Sequence, residues 1–311
     1  MIVLALVALG VPERPSDRAT GRPDRYEYAQ VHMGLPVRLH LYAADEQIAR
    51  AAATAAFARI AELDRMMSDY RPDSDVRRLS SDGTWTAVSV ELIAVLRCAL
   101  AVARATDGAF DPTIAPLVAL WRDARRLQRL PDRADLDAAR ARVGWRHLQI
   151  DGRRGAVRFT RRGMRLDLGG IAKGYILQDA LRVLRGHGIA SALLEAGGDI
   201  VAGDAPPERD GWTIDAGGAD ADFAARAARL RNAALATSGP TAQYVDVDGA
   251  RYSHVIDPRT GYGVTRDVVV RVIASDAAMA DALATAVGVM GSIDARLRSR
   301  FPGATVSVAR R

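Results

Sequence analysis

A chain of 311 residues that is 49% hydrophobic, 26% charged and 5% aromatic has the make-up of a globular protein with ample material for a core, which excludes a collagen, a coiled-coil rod and bulk disorder. Its 43 basic and 37 acidic residues leave a net charge of +6, but the basic residues are scattered arginines without interleaved aromatics, the pattern of solvated helix faces and not of a nucleic-acid surface. The one cysteine, Cys98, excludes an internal disulfide, and no internal apolar run approaches the ~18 residues of a membrane span.

Met1–Gly10 is apolar and ends in the small-residue run Ala8-Leu9-Gly10, yet it has no positive n-region. Residues 1–25 are read as a signal remnant or a linker, and residues 26–311 as one domain. Pro36–Ala43 alternates Val37, Leu39 and Leu41 with polar residues, which predicts a half-buried strand. Asp45 is placed to cap a helix running to Met67. Ser68–Gly83 is a polar loop, Val90–Thr106 a second long helix, and Pro112 and Pro116 introduce a third that runs through Leu127. Asp135–Val143 is expected as a shorter helix.

Short strands are expected at His147–Ile150, Ala156–Thr160, Met164–Leu168, Ala192–Glu195, Ile200–Gly203, Trp212–Ala216, Leu235–Ser238, Tyr252–Ile256, Val268–Ala274 and Thr305–Ala309. A Gly-rich loop, Gly169–Gly174, leads into a helix ending near Arg185, and a helix pair covers Asp276–Met290 and Ile293–Arg300. Helices and short strands mix without regular βαβ alternation, so the expected class is α+β, with mixed sheets packed against helices.

Five segments place glycines or polar groups where a plain core would not. In Leu166–Tyr175 a strand-like run enters a Gly-rich turn and a helix whose N-terminus favours anions, and Lys173, the only lysine in the chain, sits there. Where arginine serves everywhere else, a retained lysine reads equally as a need for a compact ammonium or as chance survival of one lysine. Asp281 and Thr285 stand four apart, so both oxygens share a helix face flanked by Ala277, Ala284 and Gly288. A carboxylate, a hydroxyl and a backbone carbonyl suit Mg²⁺, although a hydrogen-bonded loop contact would use the same spacing. In Tyr252–Gly261, His254 precedes the turn Asp257-Pro258-Arg259-Thr260-Gly261 and has the side chain best suited to general-base work, or to a plain structural contact. Asp107–Thr113 is a turn with exposed backbone and an aromatic, or an ordinary helix–helix connection, and Ala236-Thr237-Ser238-Gly239 is a strand end with two hydroxyls before a glycine, or a plain bulge or turn.

Taken in order, these segments resemble the FAD:protein FMN transferase (ApbE) family. The resemblance runs from Met33-Gly34 through Ser68–Ser74, Gly108–Thr113, Asp167–Tyr175, Gly197-Gly198-Asp199-Ile200, Ala236–Gly239 and Ser253–Gly261 to Ala280–Thr285. It implies an ApbE-like flavin transferase fold and Mg²⁺-dependent transfer of FMN from FAD to a Ser or Thr hydroxyl of a target flavoprotein, with release of AMP. It implies Asp281, Thr285 and the carbonyl of Ala172 as Mg²⁺ ligands. Met33, Tyr70, Ala109, Phe110, Asp111, Lys173, Ile176 and Asp257 match FAD-contacting positions, and His254 matches the general base. Departures from the family pattern are Leu35, Glu195 and Pro240. The implied partners are FAD and an acceptor with an FMN-binding domain, and the implied setting is the cell envelope, although this start carries no Cys-containing lipobox. The alternatives from other classes are an FAD diphosphatase yielding FMN and AMP, and a non-catalytic FAD-binding protein.

Overall fold

The structure is a computed structural model that describes residues 22–214, 228–239, 244–247 and 249–310 together with the pair Val7–Ala8. Most of residues 1–21 therefore lie outside the described residues, as do Asp215, Ala216 and Pro240.

In chain order the elements are β1 (Val7–Ala8), β2 (Asp24–His32), β3 (Leu35–Ala43), α1 (Glu46–Met67), α2 (Asp75–Arg78), β4 (Thr86–Ala87), α3 (Val90–Ala105), α4 (Ala115–Leu127), α5 (Arg133–Arg140), β5 (Leu148–Asp151), β6 (Ala156–Phe159), α6 (Ala172–Gly186), β7 (Ala192–Ala196), β8 (Asp199–Ala202), β9 (Trp212–Ile214), β10 (Ala228–Leu230), β11 (Ala233–Ser238), β12 (Tyr244–Val247), β13 (Ala250–Ser253), β14 (Val268–Ala274), α7 (Ala277–Met290), α8 (Ala295–Arg300) and β15 (Thr305–Arg310). The main sheet is antiparallel throughout, in the order β1-β2-β3-β7-β8-β11-β14-β15. Smaller sheets are β4-β6-β5, β9-β10 and β12-β13. The α+β class holds.

The alternation expected for β3 is present: Val37, Leu39, Leu41 and Ala43 are buried, and the residues between them are not. Met33 and Gly34, both at positive φ, form the two-residue turn from β2 to β3 (54° and 72°), the geometry that matches the twist of an antiparallel pair. The long helices start where a side chain can satisfy a free N–H: Asp45 accepts from Ile48 N, Ser89 from Leu92 N and Asp276 from Met279 N. Gly291, at φ 75°, ends α7 in the left-handed conformation that glycine adopts at least cost. The central cluster joins Leu39 and Leu41 of β3 to Phe57, Ile60 and Leu63 of α1 and to Ile176, Leu177 and Leu184 of α6. Helix α7 packs on β11 and β14 through Leu283, Ala284 and Val287.

Several boundaries differ from expectation. Met164–Leu168 forms no ladder strand. Met164, Leu166 and Leu168 are buried, but the segment runs beside the entry to α4, with Arg165 bridged to Ile114 and Asp167 N donating to Pro112 O. The strand expected at Tyr252–Ile256 ends at Ser253, because the turn at Asp257–Gly261 folds the chain back and leaves Ile256 bridged only to Gly263. The loop 68–83 contains α2, capped by Ser74. Helix α5 starts and ends earlier than expected, at Arg133 and Arg140. Helix α6 begins at Ala172, which shortens the Gly-rich loop to Gly169–Ile171. Strands β1, β2, β4, β10 and β12 were not expected. Among the described residues no helix is long and apolar enough to cross a membrane.

Candidate active site

The N-terminus of α6, the middle of α7 and the start of β8 converge on three charged side chains. Lys173 Nζ lies 3.3 Å from each oxygen of Asp281 and 3.0 Å from Asp199 Oδ2. It also donates to Gly169 O at 3.2 Å. Asp281 Oδ2 accepts from Gly174 N (3.3 Å) and Asp199 Oδ1 from Thr237 N (3.3 Å). Asp281 is 4% exposed and Asp199 2%. The Lys173 ammonium is the one charged partner of the buried Asp199 Oδ2 among the described residues.

Burial governs the electrostatics. It pushes the carboxyls of Asp199 and Asp281 above their ordinary range; for Asp199 the Asp281 charge adds to the rise, and for both Lys173 opposes it. The two carboxylates in turn hold the ammonium of Lys173 above its ordinary range despite its desolvation. With both carboxyls ionised the group would carry one negative charge beyond the ammonium, which either a proton or a further cation would relieve.

The glycines set the spacing. A Cβ on Gly170 would stand 2.9 Å from Thr285 Oγ1 and 3.4 Å from Phe110 Cε2, so the loop before α6 lies directly against the Thr285 hydroxyl. A Cβ on Gly174 would stand 2.0 Å from Ala277 O, so α6 and α7 touch backbone to backbone there, as the small residues along that α7 face led one to expect. This contact lets Lys173 and Asp281 meet. The buried carboxylate of Asp281, the Thr285 hydroxyl one turn further along the same helix and the Ala172 carbonyl at the start of α6 are hard-oxygen groups of the kind a small divalent cation takes. Among the described residues no group of three or more His, Cys, Asp or Glu is arranged for a metal, so a metal held here would draw on hydroxyl and backbone oxygens as well.

The other expected site residues frame this cluster. Met33 sits in the β2–β3 turn with its N–H donating to Asp64 Oδ2 (3.0 Å), and the adjoining Leu35 packs on the Gly197 turn that leads into Asp199. Tyr70 is 75% exposed and lies under the Arg122 guanidinium, 4.2 Å from ring centroid to Cζ. Arg122 also bonds Asp69 (2.9 Å) and lies 3.8 Å from Asp167, whose Oδ1 accepts from Gly169 N, so Tyr70 is tied to the Gly-rich loop. Ala109 and Phe110 are buried, and Phe110 reaches toward Gly170.

Asp111 is buried, and its carboxylate accepts from Thr113 N, Thr113 Oγ1 and Trp145 N; its visible task is to hold the turn. Ile176 is core-facing on α6. The Asp257 carboxylate binds its own turn through Arg259 N, Nε and Nη2, and Trp121 Nε1 donates to Gly261 O to anchor that turn on α4. His254 is half-buried just past β13. Its neighbours Ser253 and Val255 line a small recess with Ser238, Gly239 and Gly288, the last on α7 three residues beyond Thr285.

The structure thus gathers Ala172, Lys173, Asp281, Thr285 and Phe110, and places Tyr70, Met33, Asp257 and His254 on the flanking turns. Sequence reasoning did not single out Asp199, Asp167 or Arg122 as site residues. The first two lie within segments that carried the resemblance, so a signal was present; Arg122 had none.

Comparison with known proteins identifies the family. The ApbE family model matches residues 33–301. The FAD:protein FMN transferase of Treponema pallidum is 32% identical over 303 residues, covering 91% of this chain and 83% of the relative. The crystal structure of the ApbE protein of Thermotoga maritima superposes with a TM-score of 0.80 at 32% identity, covering 92% of this chain and 97% of that one. The flavin transferase ApbE of Vibrio cholerae gives a TM-score of 0.77 at 28% identity, covering 91% and 93%. The chain therefore belongs to the ApbE family of flavin transferases.

Proposed function

We propose that the protein transfers the FMN moiety of FAD to a Ser or Thr hydroxyl of an acceptor flavoprotein and releases AMP, in a Mg²⁺-dependent reaction. The observation that carries the reading is the buried group Lys173–Asp281–Asp199 beside Thr285 and Gly170, in a chain of this family. In the reaction the acceptor oxygen forms a bond to the FMN phosphorus, the bond from that phosphorus to the bridging oxygen breaks, and AMP carries that oxygen away.

Such phosphoryl transfer needs positioning and charge neutralisation more than covalent help from the protein. Asp281, Thr285 and the Ala172 carbonyl would hold Mg²⁺. The ion, when bound, supplies Lewis-acid polarisation of the phosphate oxygens. Lys173, with its compact charge at the start of α6, adds positive potential where the pyrophosphate would lie. His254 takes the proton of the attacking hydroxyl. Tyr70, exposed and backed by Arg122, offers a face for a ring of the substrate. We also propose the cell envelope as the setting of this work, which cell fractionation tests.

Incubation with FAD, Mg²⁺ and an acceptor domain, followed by intact-mass measurement of the acceptor, tests the proposal. An FMN adduct that depends on Mg²⁺ supports it. Release of FMN and AMP at the same rate with and without acceptor would make the protein a diphosphatase instead.

A further inference from the structure

We infer that Lys173 stands in for the metal on Asp281, and that Asp199 is the anchor onto which Lys173 withdraws when a divalent cation binds. The inference rests on the reading of Asp281 and Thr285 as metal ligands, and it assigns to Asp199 the task of positioning Lys173.

Three observations carry it. First, Lys173 Nζ lies 3.3 Å from both Asp281 oxygens, so the ammonium straddles the carboxylate that a metal would need. A divalent ion and an ammonium cannot share that buried carboxylate without strong repulsion. Second, a destination is already built. Asp199 Oδ2 already lies 3.0 Å from Nζ, nearer than either Asp281 oxygen, while Oδ1 is held by Thr237 N, so the carboxylate is fixed with one oxygen on the lysine. Third, the residue type fits the motion. Lys173 is the only lysine among 43 basic residues. A point charge on a flexible stem can pivot between two carboxylates, whereas a planar guanidinium would tend to lock onto one of them.

The single lysine makes the exchange directly visible. In full-length protein carrying lysine labelled with ¹³C and ¹⁵N at the ε position, without FAD, Mg²⁺ is expected to shift the one Lys signal with the same midpoint as metal binding. A second arm measures Mn²⁺ affinity by electron paramagnetic resonance. Asp199→Asn is expected to weaken Mn²⁺ binding about tenfold or more, because Lys173 then has only Asp281 to hold. Lys173→Met is expected to tighten it, with Lys173→Gln as the substitute where the Met variant does not fold. Asp199→Glu, which restores the charge, is expected to recover most of the wild-type affinity.

The decisive term is the double variant. Since Asp199 acts through Lys173, Asp199→Asn is expected to change affinity by less than about threefold once Lys173 is Met or Gln. An equal loss in both backgrounds would make Asp199 a direct ligand or a simple field charge, and would overturn the inference. A Lys signal indifferent to bound Mg²⁺ would overturn it as well. Wild-type protein that binds no Mn²⁺ would remove the metal reading and this inference together.

Discussion

Lys173 and Asp281, 108 residues apart in sequence, meet at 3.3 Å because Gly174 lets α6 press its backbone onto the first turn of α7. The contact ties the proposed metal carboxylate to helix packing, so changes at the glycine and at the carboxylate are expected to separate stability from activity.

Asp281→Asn keeps the shape of the side chain and removes the charge that would hold Mg²⁺. FMN transfer is expected to fall at least about a hundredfold, the several kcal/mol that metal stabilisation of phosphoryl charge contributes. Steady-state assays across a Mg²⁺ series check this. Full activity at low Mg²⁺ would show that the metal is held elsewhere.

Gly174→Ala introduces a Cβ 2.0 Å from Ala277 O, and backbone cannot step aside cheaply. Overpacking of this kind costs about 1–3 kcal/mol. Gly186, the last residue of α6, has nothing within 4 Å of a built Cβ, so Gly186→Ala is expected to be neutral or to stabilise by up to about 1 kcal/mol. Urea unfolding of the two variants beside wild type measures the contrast.

Arg59 on α1 joins Glu62 (2.8 Å), Glu91 at the start of α3 (2.7 Å) and Asp179 on α6 (2.8 Å). The bond from Arg59 holds the Glu91 carboxyl below the usual range. A carboxyl depressed in the folded state binds its proton later than in the unfolded chain, so its stabilisation is present above the ordinary Glu value of about 4.3 and is lost as pH falls through the lower folded value. Glu91→Gln is expected to flatten the acid side of the stability–pH curve below about pH 4.3 and to leave its neutral side with a constant offset. Thermal melting between pH 3 and 7 reads this, and an unchanged acid slope would remove Glu91 from the account.

Cys98 packs against the main core, and burial pushes its thiol up to about 12. The thiolate is the reactive form, so iodoacetamide at pH 8 is expected to modify the native protein far more slowly than the urea-unfolded chain. Equal rates would mean that α3 opens readily.

Much of this architecture is legible in the sequence, for local reasons. Helix α1 announces itself through the Asp45 cap and the apolar spacing of Phe57, Ile60 and Leu63, and β14 through its run rich in β-branched residues. Strands β10 (Ala-Arg-Leu) and β12 (Tyr-Val-Asp-Val) belong to two-stranded ribbons, where pairing and not composition makes the strand. Met164–Leu168 has the alternation of a strand and lacks a ladder partner, which periodicity cannot reveal. At the site, the lone lysine and the Asp281–Thr285 spacing point to α6 and α7, which the structure brings together. Asp199 was harder to see as a site residue, because it reaches Lys173 only through sheet order, with β8 between β7 and β11 and α6 packed on both β7 and β8.

The most direct test of the account is the mass of an acceptor domain after incubation with the protein, FAD and Mg²⁺, run with wild type and with His254→Ala. The account predicts a covalent FMN adduct on a Ser or Thr of the acceptor with wild type, absent without Mg²⁺ and reduced about 10²–10⁴-fold in rate for His254→Ala, the range general-base catalysis supplies. An adduct formed at the wild-type rate by His254→Ala would contradict the assignment of the base, and intact FAD with an unmodified acceptor would contradict the transferase reading itself.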